Sequence, residues 1–372
     1  MKSKRSHKQD KLAKLYDAEI LPIWSSRFAR MLLRDLALPP KPNVLDVGCG
    51  TGGLTLELIR RMDDHGRIIA IDPSSAMLDV AREKAGPLSG RRIFFRSEDA
   101  EPRMSFADEV YDLVVANLSL LEMEQPAAAL AEMARVTKPS GRVLATVPLA
   151  GSFGEFTDIY REVLIKRDRL DALERLDDWL KQQLTHENLE NWAARAGLVD
   201  VTVEEEHFTL LFKSSREFFF APLIEFGWLP EWKSIAGKGP EMQDVFWHIK
   251  EAIDAYFGGS SFNVTVVAGC LRARKPSEEE RRLQEHARLP ALGTPPPEGD
   301  ADEEKTSEQP AIKRKRGDDD EPRPDKHPTH TTNQIVLGTG EIEIIEEDDG
   351  ELAINDEDHF DPDRKPTPKK SE

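Results

Sequence analysis

The chain has 372 residues, enough for one large domain or two smaller ones, and a net charge of −18. That charge is uneven: residues 276–372 carry −14 and residues 1–275 only −4, so neither part offers the basic face that duplex nucleic acid requires. The two cysteines, Cys49 and Cys270, read as reduced and structural rather than as a disulfide or metal centre, and no apolar run approaches the roughly 18 residues of a membrane helix.

The first residues are charged and lack an apolar core, so no secretory leader and a cytoplasmic location are expected. Leu12, Leu15, Tyr16 and Ile20 share one helical stripe. Pro22 suits a first helical residue, and the spacing of Ile23, Trp24, Phe28, Met31, Leu32 and Leu36 predicts a second helix that Pro39, Pro40 and Pro42 stop. Strands and helices then alternate: strand Val44–Val47, helix Leu54–Met62, strand Ile68–Ile71, helix Ser75–Ala85, strand Ile93–Phe95, strand Leu113–Ala116, a helix opened by Pro126, and strand Val143–Val147. Short apolar strands separated by amphipathic helices predict a parallel sheet covered on both faces.

Past residue 150 the order changes. Helices are predicted over 155–183 and 186–196, strands over Val199–Val203 and Phe208–Phe212, a helical segment from Arg216 to Phe257, and a last strand over Val264–Leu271. The aromatic residues Phe218, Phe219, Phe220, Phe226, Trp228 and Trp232 are read as core or lid packing. Residues 276–372 hold 12 of the 25 prolines and one aromatic residue, Phe360, so they are expected to stay disordered. Lys313–Arg316 is a basic island there, and Ile335–Leu337 and Ile342–Ile345 are short apolar runs; all are read as solvated linker.

The chemistry concentrates at strand ends. Val44–Val47 runs into Gly48-Cys49-Gly50-Thr51-Gly52, a loop whose glycines let the main chain turn sharply and approach a ligand, ahead of a helix N-terminus with free N–H groups. Gly48, Gly50 and Gly53 also satisfy the dinucleotide pattern G-x-G-x-x-G. Asp46 favours S-adenosylmethionine over NAD, because an acid there repels a pyrophosphate and can receive an α-amino group. Asp72 ends the second strand, where a carboxylate can accept both ribose hydroxyls. Asp99 follows the third strand, positioned for an adenine amine, and Asn117 follows the fourth, at the edge that lines the crevice.

VLDVGCGTG, AIDPSSAML, SEDAE, YDLVVANLSLLEM and EMARVTKPSGRVLATVP together resemble a class I S-adenosylmethionine-dependent methyltransferase of the small-molecule type, over roughly residues 12–275. The resemblance implies an α/β Rossmann-like fold, mainly parallel with an antiparallel last strand. It implies residues 1–42 as a helical cap, 43–275 as the methyltransferase domain with a helical insertion at about 214–260, and 276–372 as an acidic tail. It implies that Asp46, Gly48, Gly50 and Gly52 hold the methionine end of S-adenosyl-L-methionine, that Asp72 holds the ribose, that Asp99 with Ala100 and Met77 borders adenine, and that Cys49, Pro73 and Asn117 complete the cofactor site. Within the group the chain looks most like the malonyl-carrier-protein O-methyltransferase of biotin synthesis, through Asn117-Leu118 and Gly151-Ser152-Phe153-Gly154-Glu155-Phe156, although Leu121 and Glu122 stand where that family has Gln-Trp.

Methyl transfer from a sulfonium needs alignment and exclusion of water rather than a nucleophilic residue. A base is needed only for an acceptor that carries a proton of high pKa. No catalytic dyad or metal site is evident, and Tyr16 is the substrate-side candidate. The expected acceptor is a small molecule or a carrier-bound acyl group. A catalytically silent regulator that recruits a protein partner through the acidic tail is the alternative. A nucleic-acid methyltransferase and an NAD oxidoreductase rank below both, and neither nucleic acid nor membrane is an expected partner.

Overall fold

The computed structural model of the protein describes residues 7–288, 344–346 and 352–354. Helix α1 (His7–Leu15) passes through a π-turn (Tyr16–Ile20) and a turn holding Pro22 before α2 (Ser25–Leu33) begins, three residues later than Pro22 suggests. The sheet region follows as β1 (Asn43–Val47), α3 (Gly53–Arg61), β2 (Arg67–Asp72), α4 (Ser75–Ala85), β3 (Ile93–Ser97), β4 (Tyr111–Asn117), α5 (Pro126–Val136) and β5 (Thr137–Pro148). Then come α6 (Gly154–Lys166), α7 (Leu170–Gln182), α8 (His186–Arg195), β6 (Val199–Phe212), α9 (Ser215–Phe220), α10 (Leu229–Ala236), α11 (Gly239–Phe257) and β7 (Phe262–Arg274).

Seven strands form one sheet in the order β3-β2-β1-β4-β5-β7-β6. The first five are parallel, and β7 runs antiparallel to both β5 and β6. Side-chain alternation along each strand sets the two faces. Val44, Ile68, Ala70, Leu113, Val115 and Leu144 pack on the face of α2, α3 and α4, whereas Leu45, Val47, Ile71, Val114, Ala116 and Val143 pack on the face of α5 and α8. Each fully buried Val, Leu or Ile contributes roughly 1.5–3 kcal/mol, so a strand that reads as a continuous apolar run is fixed in register from both sides.

Three differences from the sequence reading have physical causes. The single predicted helix over 155–183 is two helices, because the chain reverses at Asp168, which adopts φ +53. The two predicted strands on either side of Glu204-Glu205-Glu206-His207 are one edge strand, β6. Its acids alternate between faces and are paired there: Glu204 with Arg272 at 3.0 Å, Glu206 with Arg34, and Glu205 with His186 at 3.1 Å. The predicted helical segment 216–257 is three helices with a π-turn at Ile224–Trp228. Its aromatic residues are mostly packing, as Phe218, Phe219 and Trp232 are fully buried, but Phe220 is 39% exposed.

Two compact units divide the chain, one of residues 1–278 with 334–372 and the other of residues 279–333. Helix α12 (Glu278–Arg288) occupies the start of the segment expected to be structureless. EEERRLQEHAR contains neither Pro nor Gly and consists largely of strong helix formers, which suffices locally although Leu283 and Ala287 are its only apolar residues. Strands β8 (Ile344–Glu346) and β9 (Leu352–Ile354) pair antiparallel, Ile344 opposite Ile354. Lys313–Arg316 and Ile335–Leu337 lie outside the described residues, as does most of the expected acidic tail.

Candidate functional site

The same alternation that builds the core aims three polar strand-end residues one way. Asp46, Asp72 and Asn117 share parity with Val44, Ala70 and Val115, so all three lie toward the α2–α4 face at the carboxyl edge of the sheet. Two cavities open there. The first, about 460 Å³, is lined by Gly50, Asp72, Pro73, Met77, Asp99 and Ala100, and is closed on the cap side by Gln9 and Leu12 of α1. The second, also about 460 Å³, is lined by Ser25, Arg30, Asp46, Cys49, Thr51 and Gly53. Tyr16, Gly48 and Asn117 line both, so the two meet at the cap.

Asp72 is 8% exposed, and its carboxylate accepts the N–H of Gly50 and the N–H of Ser74, both at 2.8 Å. It therefore ties the glycine loop to the start of α4, and a carboxylate with about four acceptor positions keeps some for a ligand. Burial pushes its pKa up, against the downward pull of those two N–H groups. Ser74 caps α4 by accepting the Met77 N–H at 3.3 Å. The Asp99 carboxylate accepts the Glu101 N–H at 3.2 Å, and Ala100 is buried beside it.

Asp46 is 1% exposed and accepts the Thr55 hydroxyl at 2.5 Å. Burial, with Asp72 adding like charge, pushes its carboxyl up to about 7 although the Thr55 hydrogen bond opposes the shift. Its place is the second cavity rather than the one holding Asp72 and Met77. Cys49 sits in that cavity's wall, 8% exposed, and burial drives its thiol well above the ordinary range. Gly52 lines neither cavity: it adopts φ +79 before α3, and a β-carbon there would meet Ala81 Cβ at 3.0 Å. Gly52 thus serves helix packing, whereas Gly48 serves the cleft.

Residues that the sequence reading did not single out complete the walls. Ser119 donates its hydroxyl to the Val47 carbonyl at 2.7 Å, and its Cβ lies 2.2 Å from where a Gly48 Cβ would be. The chain reaches Ser119 through Leu118, which adopts φ +68. Asn117 donates to the Ser25 carbonyl at 3.2 Å and accepts the Thr146 hydroxyl at 2.8 Å, pinning α2 to the sheet edge. Tyr16 shares a 2.7 Å hydrogen bond with the Ser25 hydroxyl, and burial raises its pKa. Thr51 Oγ1 is fully buried with no partner among the described residues. Among the described residues no cluster of potential metal ligands occurs, and no helix is long and apolar enough to cross a membrane.

Comparison with known proteins agrees with this geometry. The family described as "Methyltransferase domain" matches residues 44–141, from β1 into β5. A demethylmenaquinone methyltransferase of Renibacterium salmoninarum is 30% identical over 206 residues, covering 52% of this chain and 83% of that protein. Another, from Staphylococcus aureus, is 27% identical over 207 residues, covering 53% and 83%. Among solved structures, the YcgJ protein of Bacillus subtilis has a TM-score of 0.44 at 16% identity, covering 68% of this chain and 99% of that one, a likeness too distant to argue from.

Proposed function

Because the chain belongs to the class I S-adenosylmethionine-dependent methyltransferases, we propose that it methylates a small organic acceptor held under the cap formed by α1, the π-turn and α2. The observation that carries this reading is the pair of joined cavities at the carboxyl edge of β1, β2 and β4, with Asp72, Gly48 and Asn117 in their walls. The residues suit the cofactor. Asp72 keeps acceptor positions for ribose hydroxyls, Pro73, Met77, Asp99 and Ala100 frame space for adenine, and the unpaired Thr51 hydroxyl beside Asp46 suits the zwitterionic methionine end. Bound there, S-adenosylmethionine supplies an electrophilic methyl group. The chain aligns the acceptor and keeps water out: Tyr16 stands where the two cavities join, and α1 covers the cleft. Residues 7–42 serve as cap and residues 43–275 as the methyltransferase domain, with 214–260 an insertion packed on α6 and α7.

The relatives' names support a small-molecule acceptor class. Titration calorimetry with S-adenosylmethionine tests the reading. Wild type is expected to bind, and Asp72→Ala to weaken binding at least about tenfold through lost charge-assisted hydrogen bonds. Equal affinity in the two proteins counts against the assigned site.

A further inference from the structure

Six carboxylates line the first cavity: Asp72, Glu98, Asp99, Glu101, Glu122 and Glu124. None of the described residues that line it is Lys, Arg or His. Four of the acids have structural work. Asp72 holds the glycine loop. Glu98 pairs with Arg96 at 3.0 Å and accepts the Ser105 N–H at 2.6 Å. Asp99 accepts the Glu101 N–H, and Glu101 accepts the N–H groups of Glu124 and Gln125 ahead of α5. Glu122 differs. It closes the short 3-10 turn Leu120–Glu122 after β4, and its carboxylate has no hydrogen bond or ion pair among the described residues.

The position of Glu122 is held firmly. Ser119, which begins this turn, is bound to Val47 beneath Gly48, and the Glu122 N–H donates to the Ser119 carbonyl at 3.1 Å. A carboxylate on a rigid turn, facing a cleft that offers it no cation, is matched to a cation from outside. The cleft walls, with Asp72 adding like charge, push the Glu122 carboxyl upward, although the side chain stays open to water. Tyr16 faces the same carboxylate across the cleft, and the charge of Glu122 helps to hold that phenol protonated.

We propose that Glu122 is a catalytic residue that receives the methyl acceptor, and that the acceptor is a basic amine rather than a carboxylic acid. This rests on the functional reading above and deepens it. An amine approaches the anionic cleft as a cation and is attracted, whereas a carboxylate acceptor is repelled by the same charges. Before the transfer the bound ammonium gives one proton to the Glu122 carboxylate, which returns it to solvent, and the lone pair of the resulting neutral amine forms the bond to the donated methyl. The carbon–sulfur bond of the donor breaks and leaves its electron pair on sulfur as a thioether. The product leaves as the methylated ammonium, carrying the positive charge that the sulfonium loses.

Two measurements test this. The first is calorimetry with S-adenosylhomocysteine and with sinefungin, an analogue that carries an amine where the donor carries its methylated sulfur. Wild type is expected to prefer sinefungin by about tenfold, the scale of a charge-assisted hydrogen bond, and Glu122→Gln to reduce that preference below about twofold while keeping its affinity for S-adenosylhomocysteine. A preference that Glu122→Gln leaves unchanged overturns the proposal. The second is transfer of labelled methyl from S-adenosylmethionine into a small-molecule extract of the source cells. Label retained by a cation exchanger in acid, and formed about 100-fold more slowly by Glu122→Gln, is expected. Label extracted into hexane, or released by base as methanol from a methyl ester, overturns the amine assignment and leaves the broader reading standing. Absence of small-molecule label overturns both.

Discussion

The Thr55 hydroxyl donates to the Asp46 carboxylate at 2.5 Å, joining the first strand to the helix behind the glycine loop inside a wall that leaves Asp46 only 1% exposed. An acid in that position is costly to ionise, and this gives the protein a built-in response to pH.

The folded-state pKa of Asp46, about 7, lies above its ordinary value of 3.8. Between those two values the folded chain holds a proton that the unfolded chain has released, so this group's contribution to stability declines as pH rises from about 4 to about 7. Asp46→Asn, which keeps an acceptor for Thr55 and removes the charge, is expected to be more favourable relative to wild type at pH 8 than at pH 5. Urea unfolding of both proteins at the two pH values checks this.

Cofactor binding should depend on pH in the opposite sense. A cationic ligand favours the ionised forms of Asp46, whose pKa is raised to about 7, and of Glu122, whose pKa is also raised. Affinity for S-adenosylmethionine is therefore expected to rise between pH 6 and pH 8 with release of protons. Calorimetry in two buffers of different ionisation enthalpy reads that release directly, and proton uptake would contradict it.

Gly48→Ala should be the most damaging single methyl group in the loop. The added carbon would meet Ser119 Cβ at 2.2 Å, and φ +67 is a conformation that alanine adopts poorly. Separating Gly48 from Ser119 breaks the Ser119 bond to Val47 and opens the floor shared by both cavities. Loss of about 2–4 kcal/mol of stability is expected from overpacking and strain together, with loss of measurable cofactor binding. Chemical denaturation and calorimetry give the two readouts.

Asn117→Ala removes the tie between β4 and Ser25 and leaves the Thr146 hydroxyl without its acceptor. About 1–3 kcal/mol of destabilisation is expected. The effect should concentrate in the cap, because Arg272 still donates to the Met31 carbonyl at 2.6 Å from the far end of α2. Hydrogen exchange is expected to accelerate in α1 and the π-turn more than in α3 or the sheet, and uniform acceleration would contradict this account.

Deleting residues 289–372 is expected to leave affinity for S-adenosylmethionine within about twofold, because every residue lining the two cavities lies between Gln9 and Ala128. A larger loss would give the acidic segment a part in the site.

Much of the cleft was legible along the chain because strand parity is local. Once Val44–Val47 reads as a strand entering a glycine loop, Asp46 must fall on the Val44 face, and the same counting places Asp72 and Asn117. Helix Ser75–Ala85 was readable to the residue, since its serine cap and Gly86 stop are both local. The edge strand β6 was not, because an acidic run enters a strand only when Arg34 and Arg272, each remote in sequence, neutralise it.

The sequence by itself determined the sheet, the loop and the acids at its carboxyl edge, since short-range patterning fixes where each strand ends and which way its last side chain points. Tertiary structure decided which acids remain uncommitted. Glu101 is drawn to the start of α5 and Glu98 to Arg96, while Glu122 and Glu124 are left facing the cleft without a partner among the described residues. Such partnerships depend on distances across the folded chain, and no periodicity encodes them.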